Sequence, residues 1–561
     1  MFNFFNKNKL TLVLFVMILT YIVYFSWFTV MRYRTLHASY FDLGIMHQTV
    51  YNSFMAIKTG DWSRFLELTN PHGFEQVKRM AVHNDIILGI IALFYFIYHG
   101  PETLLVLQTI ILALGAIPVY LIAKFVINKK NKDASFISLA IAFAYLMYTP
   151  MQRANIFDFH AVTIATTTLL FMFYFWLIKK HWLSMLFLII SLLTKEQVAL
   201  TTIFFGIYIL LKNNIFQLTS KLSVIPSKKG IQSIDDIANK DSVLDFPLKG
   251  IITRFRGNDI HKCLTKFSRC NVLRILKDQN IIFGILVILI SLIWFIVSMK
   301  VIVTYFRGSV HFALQRYGDF GNTTEKVFVG IISHPVSLIK YIWHIDTVRY
   351  FWFLLGPLGF LSLLSPALLI IALPEFAINL LSKSWDMRNI IYQYTAVLQP
   401  WIFIAAIYGI SKIKNNIEKI KDSNKREKII LLIPIFIITF NILFAYFKGP
   451  LPFSRETEIN LWNYYSAEKK DVFYWIEQLN NDNIKISSTG NLSPFFASRR
   501  YFYNFSKYYY LADYIVIRPN EIFSYADKKI IIPIYRRLQS DVHFKIIYEG
   551  KNFEVYKKIT N

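Results

Sequence analysis

Long apolar runs alternate with short polar blocks along this chain, and the blocks are mostly basic. Leu10 to Met31 carries no charge and follows Lys7 and Lys9. About 20 such residues cross a bilayer as a helix, so this run predicts a membrane span. No small-residue cleavage site follows it, which predicts an anchor that stays on the chain. Ile86 to Tyr98 is equally apolar but only about half the required length, whereas Thr103 to Ile127 is long enough. If both crossed, the basic block Asn128 to Asp133 would lie outside, against the positive-inside tendency. The shorter run is therefore expected in the outer interface.

The remaining predicted spans are Ala134–Tyr148, Ala161–Ile178, Trp182–Thr194, Val198–Leu211, Ile281–Val303, Tyr350–Leu364, Pro366–Leu381, Tyr394–Ile410 and Ile429–Tyr446. That makes about eleven crossings, starting inside and ending outside. The basic stretches Lys179–His181, Lys212–Asn280 and Ser411–Lys428 then all fall on the inner side. The expected organisation is an N-terminal membrane module (1–211) with an amphipathic outer loop (32–102). A basic cytoplasmic insertion (212–280), a second membrane module (281–448) and an extracytoplasmic α/β domain (449–561) follow. The insertion mixes charges without periodicity and is expected to be partly disordered or to lie on lipid. In the tail, a helical stretch (Ala467–Leu479) precedes strands at Ile484–Thr489 and Asp513–Arg518, then another helix and two terminal strands.

Within the first outer loop, Leu43, Met46, Val50, Phe54 and Ile57 recur every three or four residues. This spacing predicts an amphipathic helix lying along the outer surface, with Asp42 at its start. Composition agrees with a polytopic membrane protein: of 561 residues, 55% are hydrophobic and 17% aromatic. A net charge of +26 raises the question of nucleic acid, but the basic residues sit in short blocks between apolar runs, as in loops facing anionic membrane lipids. No nucleic-acid partner is expected. Cys263 and Cys270 stand in a polar segment without metal-spaced histidines, so no disulfide framework or zinc site is implied.

With this topology the unusual polar residues gather on one side. Asp42, His47, His83 and Asp85 fall in the first outer loop, and Arg153, Asp158 and His160 in the second. Lys195 and Glu196 interrupt an apolar run; Arg316 and Asp319 lie in a later outer loop; Glu375 lies inside a span toward its outer end, with Arg388 beyond. Ionisable groups at membrane depth cost roughly 2.5 to 3.5 kcal/mol each and usually mark a site or pathway. Each also has a plainer reading. Asp42 and Asp158 could cap helices, and Lys195 with Glu196 could be a self-neutralising turn. His83, Asp85, Asp158 and His160 could together offer ligands to a divalent cation, although no fixed spacing supports it.

The order YFDLGIMHQTVYN, LLVLQTIILALGAIPVYLIAK, FDFHAV, LLTKEQVAL, ALPEFAINLLS, LSPFFASRRYFY and ADYIVI resembles the predicted membrane proteins of domain of unknown function 2079. The resemblance spans nearly the whole chain apart from Lys212–Asn280. That family is in turn similar in layout to the C-type glycosyltransferases, multispanning enzymes that use polyprenyl-phosphate-linked sugars. The resemblance implies a GT-C-like fold, a polyprenyl-phosphate sugar donor, a glycan, lipid or protein acceptor, and Asp42 as the first-loop catalytic acid. Two positions depart from the family pattern: His47 stands where an acid is expected, and HNDII (His83–Ile87) replaces His-Phe-Ser-Pro.

The expected activity is therefore sugar transfer on the outer face of the cytoplasmic membrane, with Asp42 as general base. Lys195, Arg388, Arg153 and Arg316 are the cations expected to meet the donor phosphate, and Glu375 and Asp158 the acids expected to orient hydroxyls; Glu196, His160, His83 and Asp85 complete the expected substrate-binding set. A lipid or small-molecule transporter would instead spread polar residues through the bilayer depth, and a non-catalytic scaffold would need no buried acid.

Overall fold

The computed structural model describes residues 2–127, 132–222, 278–456, 467–525 and 527–559. The uncharged N-terminal run forms a single helix, α1 (Phe2–Arg34). Leu14, Ile18, Tyr21 and Phe25, three or four residues apart, pack inward, while Phe15, Val16, Leu19 and Val23 are exposed. A helix that exposes such a face is stable only against another apolar medium. Among the described residues five helices are long and apolar enough to cross a membrane: Lys9–Arg34, Pro101–Val126, Ala134–Phe157, Gln279–Arg307 and Ser423–Lys448. Shorter apolar helices occupy Ile87–Phe96, Thr163–Leu177, His181–Leu192, Val198–Lys212 and Pro366–Leu380. At 1.5 Å per residue the second of these reaches only about 22 Å, short of a roughly 30 Å hydrocarbon core.

Several predicted boundaries move. The expected span Ala134–Tyr148 is the helix Lys132–Leu146, and after an extended Tyr148 a separate helix, Thr149–Phe157, follows, so Arg153 sits on a buried helical turn rather than in a loop. The expected span Tyr350–Leu364 breaks after the helix Ile345–Leu355: Pro357 follows, and Gly359 and Phe360 take positive φ angles of 57° and 59°. Two helices that the sequence reading placed in a loop, Thr324–Ser333 and Pro335–Ile342, expose Phe328, Val329, Ile332, Val336 and Ile339. Most of the basic Lys212–Asn280 insertion, residues 223–277, and residues 128–131 of the Asn128–Asp133 block lie outside the described residues.

The chain forms two compact units, residues 1–202 with 291–561, and residues 203–290. In the smaller unit two helical stretches meet at glycines: a Cβ on Gly206 would stand 2.8 Å from the Gly284 carbonyl oxygen and 2.6 Å from Ile288. Small residues let membrane helices approach this closely.

In the larger unit α1 ends in a turn at Leu36, and a wide helical turn over Tyr40–Gly44 leads into α2 (Ile45–Thr59). A short hairpin follows, β1 (Glu67–Thr69) against β2 (Gln76–Lys78). The C-terminal segment begins with the helix Ala467–Gln478 and builds a five-stranded mixed sheet from β3 (Ile486–Ser488), β4 (Phe502–Asn504), β5 (Tyr514–Ile517), β6 (Phe544–Glu549) and β7 (Glu554–Lys558). The strand order is β4-β3-β5-β7-β6, with β3 parallel to both neighbours and β7 antiparallel to both of its own. Strand β4 has no counterpart in the sequence reading, because FYN is too short to show a period.

The sheet and the loop after α1 share one core. Tyr33, Tyr40, Leu43 and Val50 pack with Phe495, Phe496, Phe502, Val516 and Val555, and the Tyr33 and Phe495 rings stack at 4.2 Å. Helix α2 therefore differs from the expected surface helix. Its polar residues Gln48, Thr49, Asn52 and Ser53 are as buried as its apolar ones. They find partners inside: Gln48 donates to the Arg500 carbonyl (3.0 Å) and accepts from the Thr69 N–H (3.2 Å), and Asn52 donates to the Glu67 carbonyl (3.1 Å). Amphipathic spacing identified the helix but not what covers its polar face.

Candidate functional site

The end of α1 brings Arg32 beside the loop Phe157–His160. Arg32 Nη1 donates to Asp158 Oδ1 at 2.7 Å and to the Phe157 carbonyl at 3.1 Å. Asp158 Oδ2 accepts the Ser39 N–H at 3.1 Å. These bonds hold Asp158 in a backbone conformation of φ 153°, ψ 178°, which is almost exclusive to glycine. Strain of this kind persists where surrounding contacts over-determine it, and it concentrates at working sites. The Asp158 side chain is 3% exposed, and burial pushes its carboxyl up to about 7 although Arg32 opposes this.

Asp42 stands on the wide turn before α2 and is not a helix cap. Its Oδ1 faces His160 Nε2 at 3.0 Å, and its Oδ2 accepts from Ser39 Oγ at 2.9 Å. Burial raises its carboxyl, but His160, Ser39 and the charge of Arg32 outweigh that and hold it below the usual range. Its side chain keeps 23% exposure, against 7% for His160. The result is an anchored, ionised oxygen pair open on one side. Buried His160 Nδ1 has no hydrogen-bond partner among the described residues.

A second group forms where the loop before Ile87 meets the break between the helices His181–Leu192 and Val198–Lys212. Glu196 makes no direct ion pair with Lys195; among the described residues it meets His83 Nδ1 at 2.9 Å and His311 Nε2 at 3.1 Å through one oxygen. Its other oxygen accepts the Asn84 N–H at 2.9 Å. Burial, then Lys195, hold the His83 imidazole well below its usual range, against the pull of Glu196. Asp85 is taken up by Arg79 in a forked pair, with Nε at 2.9 Å and Nη2 at 2.8 Å. Lys195 is half-buried and lies within electrostatic reach of Glu196, Arg316, Glu375 and Asp85. Glu375 accepts from Gln197 Nε2 at 2.6 Å through one oxygen, and its buried second oxygen makes no hydrogen bond among the described residues.

Arg316 links the two groups. Its guanidinium lies 6.0 Å from the centroid of the Tyr394 ring, and Tyr394 is within electrostatic reach of both Arg316 and Asp42. Two expected residues stand elsewhere. Arg153 donates to the carbonyls of Lys448 (2.5 Å) and Glu456 (3.1 Å), bracing the end of the Ser423–Lys448 helix. Arg388 donates to the Ser382 carbonyl and lies against the Tyr341 ring.

The four donors considered for a divalent cation do not form a ligand set, since Asp85 goes to Arg79, Asp158 to Arg32, His160 to Asp42 and His83 to Glu196. Nor do two surface grooves of about 470 and 490 Å3 contain the site residues; they are lined by Val348, Trp352 and Phe353, and by Leu19, Val23 and Trp27. The sequence reading missed Arg32, Ser39 and His311. Arg32 carried a signal, a positive charge at the expected outer end of a span, where the inside bias disfavours one. Ser39 and His311 carried none, because their role comes from partners far along the chain.

A bundle of apolar helices with ion pairs and buried hydrogen bonds collected at helix ends and their connecting loops defines a polytopic helical membrane protein. Residues 32–552 match the family described as Predicted membrane protein (DUF2079), and the chain belongs to that family. No curated protein matches it. Among solved structures it is similar to ArnT from Cupriavidus metallidurans bound to undecaprenyl phosphate, at 11% identity over 97% of this chain and 98% of that one, with a TM-score of 0.45. It is also similar to the apo oligosaccharyltransferase of Archaeoglobus fulgidus, at 11% identity over 97% of this chain and 74% of that one, with a TM-score of 0.41.

Proposed function

We propose that this protein is a membrane glycosyltransferase that moves a sugar from a polyprenyl-phosphate donor to a hydroxyl acceptor on the outer face of the cytoplasmic membrane. The observation that carries the reading is Asp42: an ionised carboxylate, held from two sides by His160 and Ser39 and open on a third, at the end of the first span. A base in that position meets an acceptor arriving from water and a donor whose lipid stays in the bilayer.

In the reaction, the acceptor oxygen attacks the anomeric carbon while its proton passes to Asp42. The bond from the anomeric carbon to the phosphate oxygen breaks, and its electron pair leaves on polyprenyl phosphate. A single displacement inverts the anomeric centre. Lys195 and Arg316 supply positive charge for the departing phosphate. Glu375, with one unpartnered oxygen, and strained Asp158 orient hydroxyls on either side. Arg153 and Arg388, committed to backbone carbonyls, act by holding the loops in place.

The test uses purified protein in liposomes with a pool of polyprenyl-phosphate sugars, and follows release of polyprenyl phosphate. Asp42→Asn is expected to lower release about 100-fold or more, the usual yield of a positioned base, with unchanged thermal stability. Equal release by the wild type and the variant would remove Asp42 from the chemistry. Absence of release from every donor, with lipid or solute flux across the vesicle instead, would replace the enzyme reading with a transporter.

A further inference from the structure

We infer that His83, Glu196 and His311 form a binding site for a zinc-type divalent ion, with a further coordination position open to an oxygen donor. This inference does not depend on the sugar-transfer reading. Three chain segments far apart in sequence bring His83 Nδ1, a Glu196 oxygen and His311 Nε2 within 4.8 Å of one another. Ligands on a tetrahedral zinc at ordinary bond lengths stand about 3.3 Å apart. The two short separations here, 2.9 Å and 3.1 Å, need to open only by a few tenths of an ångström.

An independent observation points to a missing partner. The His311 side chain is 3% exposed, and its Nε2, 3.1 Å from Glu196 Oε1, makes no hydrogen bond among the described residues. A buried imidazole nitrogen beside a carboxylate but outside hydrogen-bonding geometry carries a desolvation cost that a bound cation would remove.

The surroundings of Glu196 suit metal binding. The Asn84 N–H fixes one Glu196 oxygen at 2.9 Å, which turns the other toward both imidazoles. Asn84 is itself held through Nδ2 to Ser298 Oγ at 2.6 Å. Outer hydrogen bonds of this kind orient ligating carboxylates in metal sites. Two imidazoles and one carboxylate suit a transition ion such as zinc, whereas calcium and magnesium prefer oxygen ligands throughout. Nearby Lys195 disfavours a bare dication, so an anionic oxygen in the open position would balance both charges.

The experiment measures metal on the full-length protein in detergent. The protein is stripped with a chelator, titrated with Zn2+, and its metal content determined by mass spectrometry; Co2+ is titrated in parallel and followed by visible absorption. One equivalent per chain is expected, with the spectrum of a low-symmetry Co2+ site. His311→Ala and Glu196→Gln are expected to lose at least ten-fold in affinity, while Glu325→Gln, in the exposed Lys300 pair, retains it. Should the first two variants fail to fold, X-ray absorption on zinc-loaded wild type decides, with two imidazoles and one carboxylate expected. Absence of stoichiometric zinc on folded wild type, or a different ligand set, overturns the inference.

Discussion

Asp158 shows how a residue can look like a cap and do something else. FDFHAV places an acid just before a helix, where capping is the ordinary reading, yet Asp158 accepts from Arg32 and from the Ser39 N–H instead. Its carboxyl, at about 7 against an ordinary 3.8, binds a proton more tightly in the folded chain than in the unfolded one. Stability from this group is therefore full below about pH 4 and is lost as pH rises through about 7. Thermal melting of the detergent-solubilised protein across that window is expected to show the decline, and Asp158→Asn to flatten it. An unchanged slope in the variant would assign the pH dependence to another group. Arg32 was visible as an out-of-place charge, whereas Ser39 carries no sequence pattern that separates it from an ordinary loop serine.

At the scale of elements, α2 carries the clearest lesson. The spacing of Leu43, Met46, Val50 and Phe54 located the helix, because a period of three to four is local information. Its polar stripe was expected to face outward and is buried instead, because β1 and the strand-bearing tail lie over it. Gln48→Leu keeps the volume and removes the hydrogen bonds to Thr69 and to the Arg500 carbonyl. Each buried group left unpaired costs about 1 to 3 kcal/mol, so the melting temperature should fall measurably. Were the stripe solvent-facing, the same substitution would leave the melt nearly unchanged. The short apolar helices were harder to assign, since lengths near 15 residues fit both a half-span and a buried core helix.

The whole molecule joins its first loop to its last strands. Arg64 forks onto Asp482 at 2.5 and 2.9 Å, Arg500 onto Glu67 at 2.9 Å, and buried His47 bridges Tyr95 and Ser498 at 2.7 Å each. Burial pushes the His47 imidazole down to about 3, so the bridge stays neutral. Removal of residues 467–561 is expected to leave the membrane helices inserted but to open residues 32–102 to protease. Unaltered cleavage of that loop would show that it folds without the tail.

The sequence by itself determined that the chain is a polytopic helical membrane protein with a strand-bearing tail, and that its unusual charges lie at helix ends and in the loops between them. Hydropathy and charge bias act residue by residue and are legible in one dimension. Which charges meet was decided only by the tertiary structure: Asp42 with His160, Arg32 with Asp158, and Glu196 with two histidines. Ion pairs across more than a hundred residues depend on how the helices pack, and packing leaves no periodic trace in the chain.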